Sequence, residues 1–246
     1  MNICTICTPD WISSHLARWF RHVRFSNPTA DLYLIMPGTP DDLSHPVVRE
    51  FTQTHLVDPA EVYSHGQLSR PWVNEVRMSA TELFDVDEML YIDADCDVYG
   101  DMSRGWAESD KDLMWVRSPW PNAEWTQMAG QFGYSGAGDW VANNGLLYMR
   151  RSFKDEWASA WEKCGNTHRN SRVTGVLNFN VMLRDNPELW HELPKRYSVV
   201  WRDWEMYGLI PSMDDGERVM CMQWCNAEGQ KKHVLHEEVW RRQFSG

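Results

Sequence analysis

The sequence contains no stretch that resembles a membrane-spanning or secretory segment. A transmembrane helix needs about 18 or more consecutive apolar residues, and no such run occurs in the 246-residue chain. A signal peptide has a basic region followed by an apolar stretch, and the opening residues, MNICTICTPDW, lack this pattern. We therefore expect a soluble, cytoplasmic protein.

Low-complexity tracts and linkers rich in glycine, serine or proline are absent as well. Without such a division, a chain of 246 residues fits a single α/β domain. A hydrophobic content of 43% beside 24% charged residues is ordinary for a globular protein and argues against disorder. We expect residues 1–246 to form one domain.

Positive charge is scarce. The chain has 24 lysines and arginines against 35 aspartates and glutamates, which gives a formal net charge of −11. This balance disfavours broad attraction to nucleic acids and anionic membranes, so a nucleic acid is not supported as a substrate or partner. A small neutral substrate, or an anionic one bridged by a cation, suits the charge better.

The six cysteines raise the question of zinc, because Cys4 and Cys7, like Cys221 and Cys225, are spaced as ligand pairs often are. Cys4 and Cys7 fall in a predicted β-strand, where residues three apart point to opposite faces. Buried free thiols are therefore the better interpretation of this first pair.

Tryptophan is abundant, with 15 residues. Most should pack in the core, but flat aromatic rings also stack on sugars and nucleobases. A segment rich in tryptophan, proline and glycine spans residues 118–140, and long irregular segments of this kind are often functional. We therefore expect this segment to be functional.

Strand and helix patterns alternate along the chain. Strands are predicted at residues 2–8, 31–36, 88–92, 112–116, 143–150 and 197–201, and helices at 11–24, 41–54, 69–84, 152–164 and 174–185. Asp10 is the expected N-cap of the first helix. This alternation is typical of an α/β protein with a mostly parallel sheet flanked by helices.

Four aspartates crowd the stretch MLYIDADCDVYGD, residues 89–101, directly after an apolar predicted strand. In an extended chain Asp93, Asp95 and Asp97 project to one side, roughly 6–7 Å apart. Like charges so placed repel one another and need a cation or solvent to relieve them. The pattern thus indicates either a cation site at a strand end, where open α/β sheets bind ligands, or a solvated turn.

Three chemistries use such a motif. An EF-hand calcium loop is excluded, because it requires glycine and glutamate where this chain has Val98 and Arg104. A haloacid-dehalogenase-like phosphatase, with an aspartate nucleophile beside Mg²⁺, stays open through Val98 and the later MDDGE at 213–217. The third is a glycosyltransferase, in which Mn²⁺ or Mg²⁺ bridges carboxylates to the diphosphate of a nucleotide-sugar.

LYIDADCDVYGDM resembles the Leu-Tyr-Leu-Asp-Ala-Asp segment of GT-A-fold glycosyltransferases of the glycogenin and bacterial lipopolysaccharide galactosyltransferase type. The resemblance implies a Rossmann-like GT-A domain with a mostly parallel central sheet. Residues 1–101 would form its nucleotide-binding part and residues 102–246 its sugar and acceptor part. It also implies a nucleoside-diphosphate sugar donor, most simply a UDP-sugar, and Mn²⁺ or Mg²⁺ held by Asp93 and Asp95. Asp97 and Asp101 are then expected in the solvated turn that follows, and the segment 118–140 is expected to recognise the acceptor and to close over the donor.

Two segments upstream of the aspartates follow the same family pattern. CTPDW resembles its Thr-Asn-Asp-x-Tyr, which implies that Thr8 binds the base and Trp11 stacks on it, with core packing as the alternative for Trp11. Arg77 matches a basic residue that contacts the donor. The alternative for Arg77 is a surface ion pair with neighbouring glutamates.

Two segments downstream also match in order. VANNGLLYMRR resembles Phe-Asn-Ala-Gly-Val-Leu-Leu, which implies that Asn143 and Asn144 lie near the hydroxyls of the donor sugar, although both would equally suit a turn into a strand. HVLHEEVW resembles the terminal strand that carries a metal-ligating histidine. This implies His236 as the third metal ligand and Lys232 as a phosphate contact.

The chain departs from the family in two places. VTGVLN at 173–178 replaces an Asp-Gln-Gly, so the usual polar contact to the transferred sugar is missing, and EEVWRRQF replaces a terminal Lys-Pro-Trp motif. If the enzyme inverts the anomeric centre, Asp139 or Asp203 would be its catalytic base. A non-catalytic nucleotide-sugar-binding protein remains the other alternative.

Overall fold

The computed structural model describes residues 1–64, 67–68, 70–118, 141–164, 172–200 and 219–224. The strands in these ranges are β1 (Asn2–Ile6), β2 (Asp31–Pro37), β3 (Gln53–Val57), β4 (Tyr63–Ser64), β5 (Gln67–Leu68), β6 (Met89–Ile92), β7 (Cys96–Val98), β8 (Leu113–Arg117), β9 (Ala142–Met149), β10 (Trp190–Glu192), β11 (Val199–Val200) and β12 (Cys221–Gln223). The α-helices are α1 (Ala17–Ser26), α2 (Pro46–Arg49), α3 (Pro59–Val62), α4 (Arg70–Met78), α5 (Ala80–Phe84), α6 (Lys154–Lys163) and α7 (Arg172–Asp185).

One central sheet contains seven of these strands, in the order β10-β8-β9-β6-β1-β2-β3. Neighbours pair in parallel except around β9, which runs antiparallel to both β6 and β8. The predicted α/β architecture with a mostly parallel central sheet is therefore confirmed. A second, three-stranded sheet pairs β12 in parallel with β11 and antiparallel with β7, so the chain enters a different sheet directly after Asp93 and Asp95.

Two apolar clusters cover the faces of the central sheet. One contains Trp19 from α1, and the other contains Trp157 from α6. All four side chains of β6 are buried, as expected of a strand in a sheet that is covered on both faces. Cys7 belongs to the first cluster and Cys4 to the second, and both are free, which confirms the interpretation of this pair as buried thiols on opposite faces.

The helices differ from their predicted bounds where local hydrogen bonding intervenes. The first helical segment starts with a 3-10 turn at Pro9–Trp11, for which Thr8 is the N-cap, so the prediction of Asp10 as N-cap was wrong. Proline fits the first turn of a helix, which explains the earlier start. The predicted helix 69–84 is interrupted at Ser79, whose hydroxyl donates to the carbonyls of Glu75 and Val76.

The predicted helix at 41–54 is replaced by a 3-10 turn (Pro40–Ser44), the short helix α2 and strand β3. Pro46 lacks a backbone donor and therefore starts a new helix rather than continuing one. In the part of the chain that the structure describes, no helix has the length and apolar character needed to cross a membrane.

One further hydrogen bond connects the end of β8 to the start of β9. The N–H of Ser118 donates to the carbonyl of Val141 (2.6 Å), just beyond the last paired residues of the two strands. The segment between these two residues, which contains most of the tryptophan-rich stretch expected to bind an acceptor, lies outside the described residues, as does the expected terminal strand after residue 231.

Candidate active site

The two aspartates of the Asp-x-Asp motif lie at the carboxyl end of β6. The N–H of Asp93 donates to the carbonyl of Gly145 (2.8 Å), which extends the pairing of β6 with β9 by one residue. Strand β1 lies beside β6 in parallel, so Thr8 leaves the sheet at the same edge. This is the edge at which open α/β sheets bind ligands.

Asp93 is held by three side chains. Its Oδ1 accepts hydrogen bonds from the Tyr91 hydroxyl (2.7 Å) and from Nη2 of Arg77 (3.0 Å), and its Oδ2 accepts one from Nε2 of Gln223 (2.9 Å). A carboxylate offers about four lone-pair sites, and these three bonds occupy most of them. The carboxylate is thus fixed in orientation before any ligand binds.

Arg77 supports Asp93 from inside the protein. Only 5% of Arg77 is exposed. Its guanidinium carbon lies 4.5 Å from the centre of the Tyr91 ring, and its Nη1 donates a hydrogen bond to the carbonyl of Asn144 (2.6 Å). Burial lowers the pKa of Arg77, but Tyr91 and Asp93 raise it by more, so the group stays charged. The alternative of a surface ion pair with neighbouring glutamates is wrong, because Arg77 pairs with Asp93 instead.

Asp95 lies beside this network and is less firmly held. Its Oδ1 accepts a long hydrogen bond from Nε2 of Gln223 (3.4 Å). Burial, and then the charge of Asp93, raise the pKa of Asp95 to about 7. Two crowded carboxylates form an all-oxygen donor set of the kind that Mg²⁺ and Mn²⁺ prefer, so the residues fit a divalent ion.

Gln223 is a site residue that the sequence did not reveal. The antiparallel pairing of β12 with β7 places it opposite Cys96, and the N–H of Trp224 donates to the carbonyl of Asp95 (3.1 Å). Its Nε2 is thereby brought to Asp93 and Asp95. No local pattern marks a glutamine for this position, because only strand pairing across a long sequence separation puts it there.

The two asparagines at the start of β9 belong to the same network. Nδ2 of Asn143 donates to Oε1 of Gln223 (3.0 Å) and to Oγ of Ser198 (3.2 Å). Nδ2 of Asn144 donates to Oδ1 of Asn74 (3.0 Å). Their side chains therefore help to build the floor of the site, and their contact with a sugar stays a prediction.

Gly145 permits the close approach of β9 to the aspartates. A Cβ at this position would lie 2.7 Å from Oδ2 of Asp93 and 2.6 Å from Nε2 of Gln223. Any larger residue would therefore displace both groups. The glycine in the NNGLL motif is required by the site as well as by the strand.

Thr8 and Trp11 lie where the chain leaves β1. Trp11 is 41% exposed and stacks on the ring of His15, with centroids 4.1 Å apart. Core packing of Trp11 is therefore wrong, whereas stacking on a base stays a prediction. Thr8 is partly buried and does not use its side chain to cap the following turn, and its contact with a base likewise stays a prediction.

The other two aspartates of the motif have different roles. Asp97 is completely buried and pairs with Nε of Arg18 (2.9 Å), while Nε1 of Trp224 donates to it (2.9 Å). The expectation of a solvated position for Asp97 was wrong, because β7 turns into the second sheet. Asp101 is exposed, as expected of a solvated turn. It caps a 3-10 turn by accepting a hydrogen bond from the N–H of Ser103 (3.0 Å).

Four predicted site residues lie outside the described residues, namely Asp139, Asp203, Lys232 and His236. Among the residues that the structure does describe, no group of three or more histidine, cysteine, aspartate or glutamate side chains is placed to hold a metal ion. The VTGVLN segment falls within α7, where Gly175 gives Asn74 room to pack.

No protein-family model and no curated protein sequence matches the chain, but many solved structures match its fold. The galactosyltransferase LgtC, in complex with donor and acceptor sugar analogues, matches with a TM-score of 0.63 and 14% identity over 92% of this chain and 88% of LgtC. The chain has a GT-A glycosyltransferase fold.

Further structures with the GT-A fold match in the same way. The glycosyltransferase GlyE of Streptococcus pneumoniae TIGR4 matches with a TM-score of 0.57 and 16% identity over 92% of this chain and 54% of GlyE. Mouse xyloside xylosyltransferase 1 matches with a TM-score of 0.59 and 11% identity over 93% of this chain and 99% of the mouse chain. At identities this low the similarity concerns the GT-A fold.

Proposed function

We propose that the protein is a glycosyltransferase that moves a sugar from a nucleoside-diphosphate donor to an acceptor with the help of Mn²⁺ or Mg²⁺. The observation that carries the proposal is the pair Asp93 and Asp95 at the carboxyl end of β6, with Asp93 held in place by Arg77, Tyr91 and Gln223. The GT-A fold supports it, since LgtC was crystallised with donor and acceptor sugar analogues.

The metal supplies one part of the chemistry. Asp93 and Asp95, with His236 as the expected third ligand, would hold a divalent ion, which would supply Lewis-acid stabilisation of the leaving nucleoside diphosphate. Arg77 pairs with Asp93 and so orients its carboxylate for this role. Lys232 would add a positive charge at the phosphates.

The other proposed contacts divide the chain into two parts. Residues 1–101 hold the nucleotide, with Thr8 on the base and Trp11 stacked against it, most simply for a UDP-sugar. Residues 102–246 hold the sugar and the acceptor, with Asn143 and Asn144 orienting the sugar. Asp139 or Asp203 would take the acceptor proton if the reaction inverts the anomeric centre.

The experiment is an incubation of the protein with a panel of nucleotide-sugars and Mn²⁺ or Mg²⁺, followed by measurement of the released nucleoside diphosphate. We expect release from at least one donor, and a loss of about 100-fold or more in Asp95→Ala because the diphosphate is no longer stabilised. Asp101→Ala is the matched control, since Asp101 belongs to the same motif but is exposed. This control should retain activity.

Two other outcomes would replace the proposal. Release of phosphate from simple phosphate esters, together with inactivity toward every nucleotide-sugar, would indicate a haloacid-dehalogenase-like phosphatase. Binding of nucleotide and Mn²⁺ without transfer or hydrolysis would indicate a nucleotide-sugar-binding protein, as the missing Asp-Gln-Gly would allow.

A further inference from the structure

We propose that Gln223 is a positioning residue whose amide nitrogen bridges Asp93 and Asp95, and that a metal ion must displace this amide to bind the pair. The inference rests on the proposed metal site and goes beyond it, because it names a competitor for that site within the chain. One nitrogen, Nε2, donates to Oδ2 of Asp93 (2.9 Å) and to Oδ1 of Asp95 (3.4 Å).

The hydrogen-bond pattern determines which end of the Gln223 amide faces the carboxylates. The N–H of Gly145, which can only donate, bonds to Oδ1 of Asn143 (2.9 Å). Nδ2 of Asn143 therefore points away from Gly145 and donates to Oε1 of Gln223 (3.0 Å). With its oxygen engaged there, Gln223 presents its nitrogen to the two aspartates.

Reversing the Gln223 amide would be costly. It would put Oε1 against two carboxylates and Nε2 against the Nδ2 donor of Asn143, so two attractive contacts would become repulsive. Gln223 is also only 8% exposed, and the backbone of Gly145 lies so close that a Cβ there would be 2.9 Å from Oε1. Gln223 is therefore a hydrogen-bond donor to the aspartates rather than an oxygen ligand for the metal.

The bridging amide has a direct consequence for metal binding. It offsets part of the repulsion between the two carboxylates while no cation is bound, and it uses oxygen atoms that the metal also needs. Binding of the metal must break these two hydrogen bonds. We expect removal of the donor to tighten Mn²⁺ binding about tenfold.

The test measures the binding of Mn²⁺, without any nucleotide-sugar, to wild type, Gln223→Met and Asp95→Ala. Titration calorimetry and electron paramagnetic resonance of the free ion give the affinities. Methionine is close in size to glutamine but has no amide. We expect Gln223→Met to bind Mn²⁺ about tenfold more tightly than wild type. It should have a lower Tm without metal, because the donor that bridges the two carboxylates and offsets part of their repulsion is lost. Weaker binding by Gln223→Met would overturn the inference, since it would make Gln223 a ligand.

A second measurement does not depend on how the variant folds. In wild-type protein labelled with ¹⁵N, Mg²⁺ should shift the side-chain NH₂ signals of Gln223 as it displaces them from the carboxylates. Unchanged Gln223 signals during Mg²⁺ binding that requires Asp95 would overturn the inference and leave the proposed function standing. If neither metal binds to any of these proteins and no nucleotide-sugar is cleaved, the proposed function fails as well.

Discussion

The guanidinium of Arg77 lies 3.0 Å from the carboxylate of Asp93, and only 6% and 23% of the two side chains are exposed. The pair joins helix α4 to the end of strand β6, so it is at once part of the core and part of the candidate site. Replacement of either partner leaves the other with a poorly solvated charge.

Arg77→Met is expected to lower the free energy of unfolding by about 3–5 kcal/mol, because Asp93 would lose its buried partner. Urea unfolding followed by circular dichroism measures this change. Arg151→Met is the matched control: Arg151 pairs with Asp112 and Glu156, but its side chain is 39% exposed. Arg151→Met should lower the free energy of unfolding by no more than about 1 kcal/mol. Equal decreases in the two variants would contradict the buried role of Arg77.

Gly145→Ala should disrupt the site while leaving most of the fold intact. Its new methyl group would meet Oδ2 of Asp93 and Nε2 of Gln223 within 2.7 Å, so the carboxylate must move. We expect donor cleavage to fall by about 100-fold, since small displacements at a reacting centre have effects of this size. Gly38→Ala is the comparison, because the nearest atom there is Oδ2 of Asp42 at 3.0 Å, on a side chain that can shift. Similar activity of the two variants would show that Gly145 is replaceable.

Asp97 and Asp101 should respond very differently to alanine. Asp97→Ala leaves Arg18 without its buried partner and is expected to cost about 3–5 kcal/mol of unfolding free energy. Asp101→Ala removes only an exposed cap and should cost about 1 kcal/mol. Thermal and urea unfolding of both variants measure the difference. A larger decrease in unfolding free energy for Asp101→Ala than for Asp97→Ala would contradict the burial of Asp97.

The described cysteines differ in their expected reactivity. Burial raises the pKa of Cys4 and Cys7 well above the ordinary range, so both should resist iodoacetamide at pH 8 until the protein is unfolded. Burial, and then Asp185, raise the pKa of Cys164 to about 11. Its labelling should therefore be slow and should accelerate about tenfold per unit between pH 7 and 9, as the thiolate fraction rises. Peptide mapping by mass spectrometry follows each site, and rapid native labelling of Cys4 would contradict its burial.

The sequence was sufficient for five of the seven strands of the central sheet, because β1, β2, β6, β8 and β9 contain apolar runs separated by helical patterns. It did not predict β10, and it placed the start of β3 in a helix. It was not sufficient for details decided by hydrogen bonds between distant residues. Asp93, Asp95 and Asp97 have the same spacing and chemistry, yet Asp97 is buried on Arg18 because β7 pairs with β12. The same pairing brings Gln223 to the aspartates.

Arg77 illustrates the same limit within the candidate site. Its position on a helix before the strand was readable from the sequence, but its partner was not. Surface glutamates lie closer along the chain, whereas the fold turns the guanidinium inward onto Tyr91 and Asp93. The sequence thus predicted that Arg77 lies on a helix before β6, but not which groups its guanidinium contacts.

The hydrogen bond between Ser118 and Val141 closes the base of the segment that joins β8 to β9. The pairing of Arg117 with Ala142, next to this bond, holds the same two ends of the segment together. Strand pairing within the sheet therefore offsets the entropy of bringing these ends together, and a substitution that weakens the pairing of β8 with β9 would also separate them.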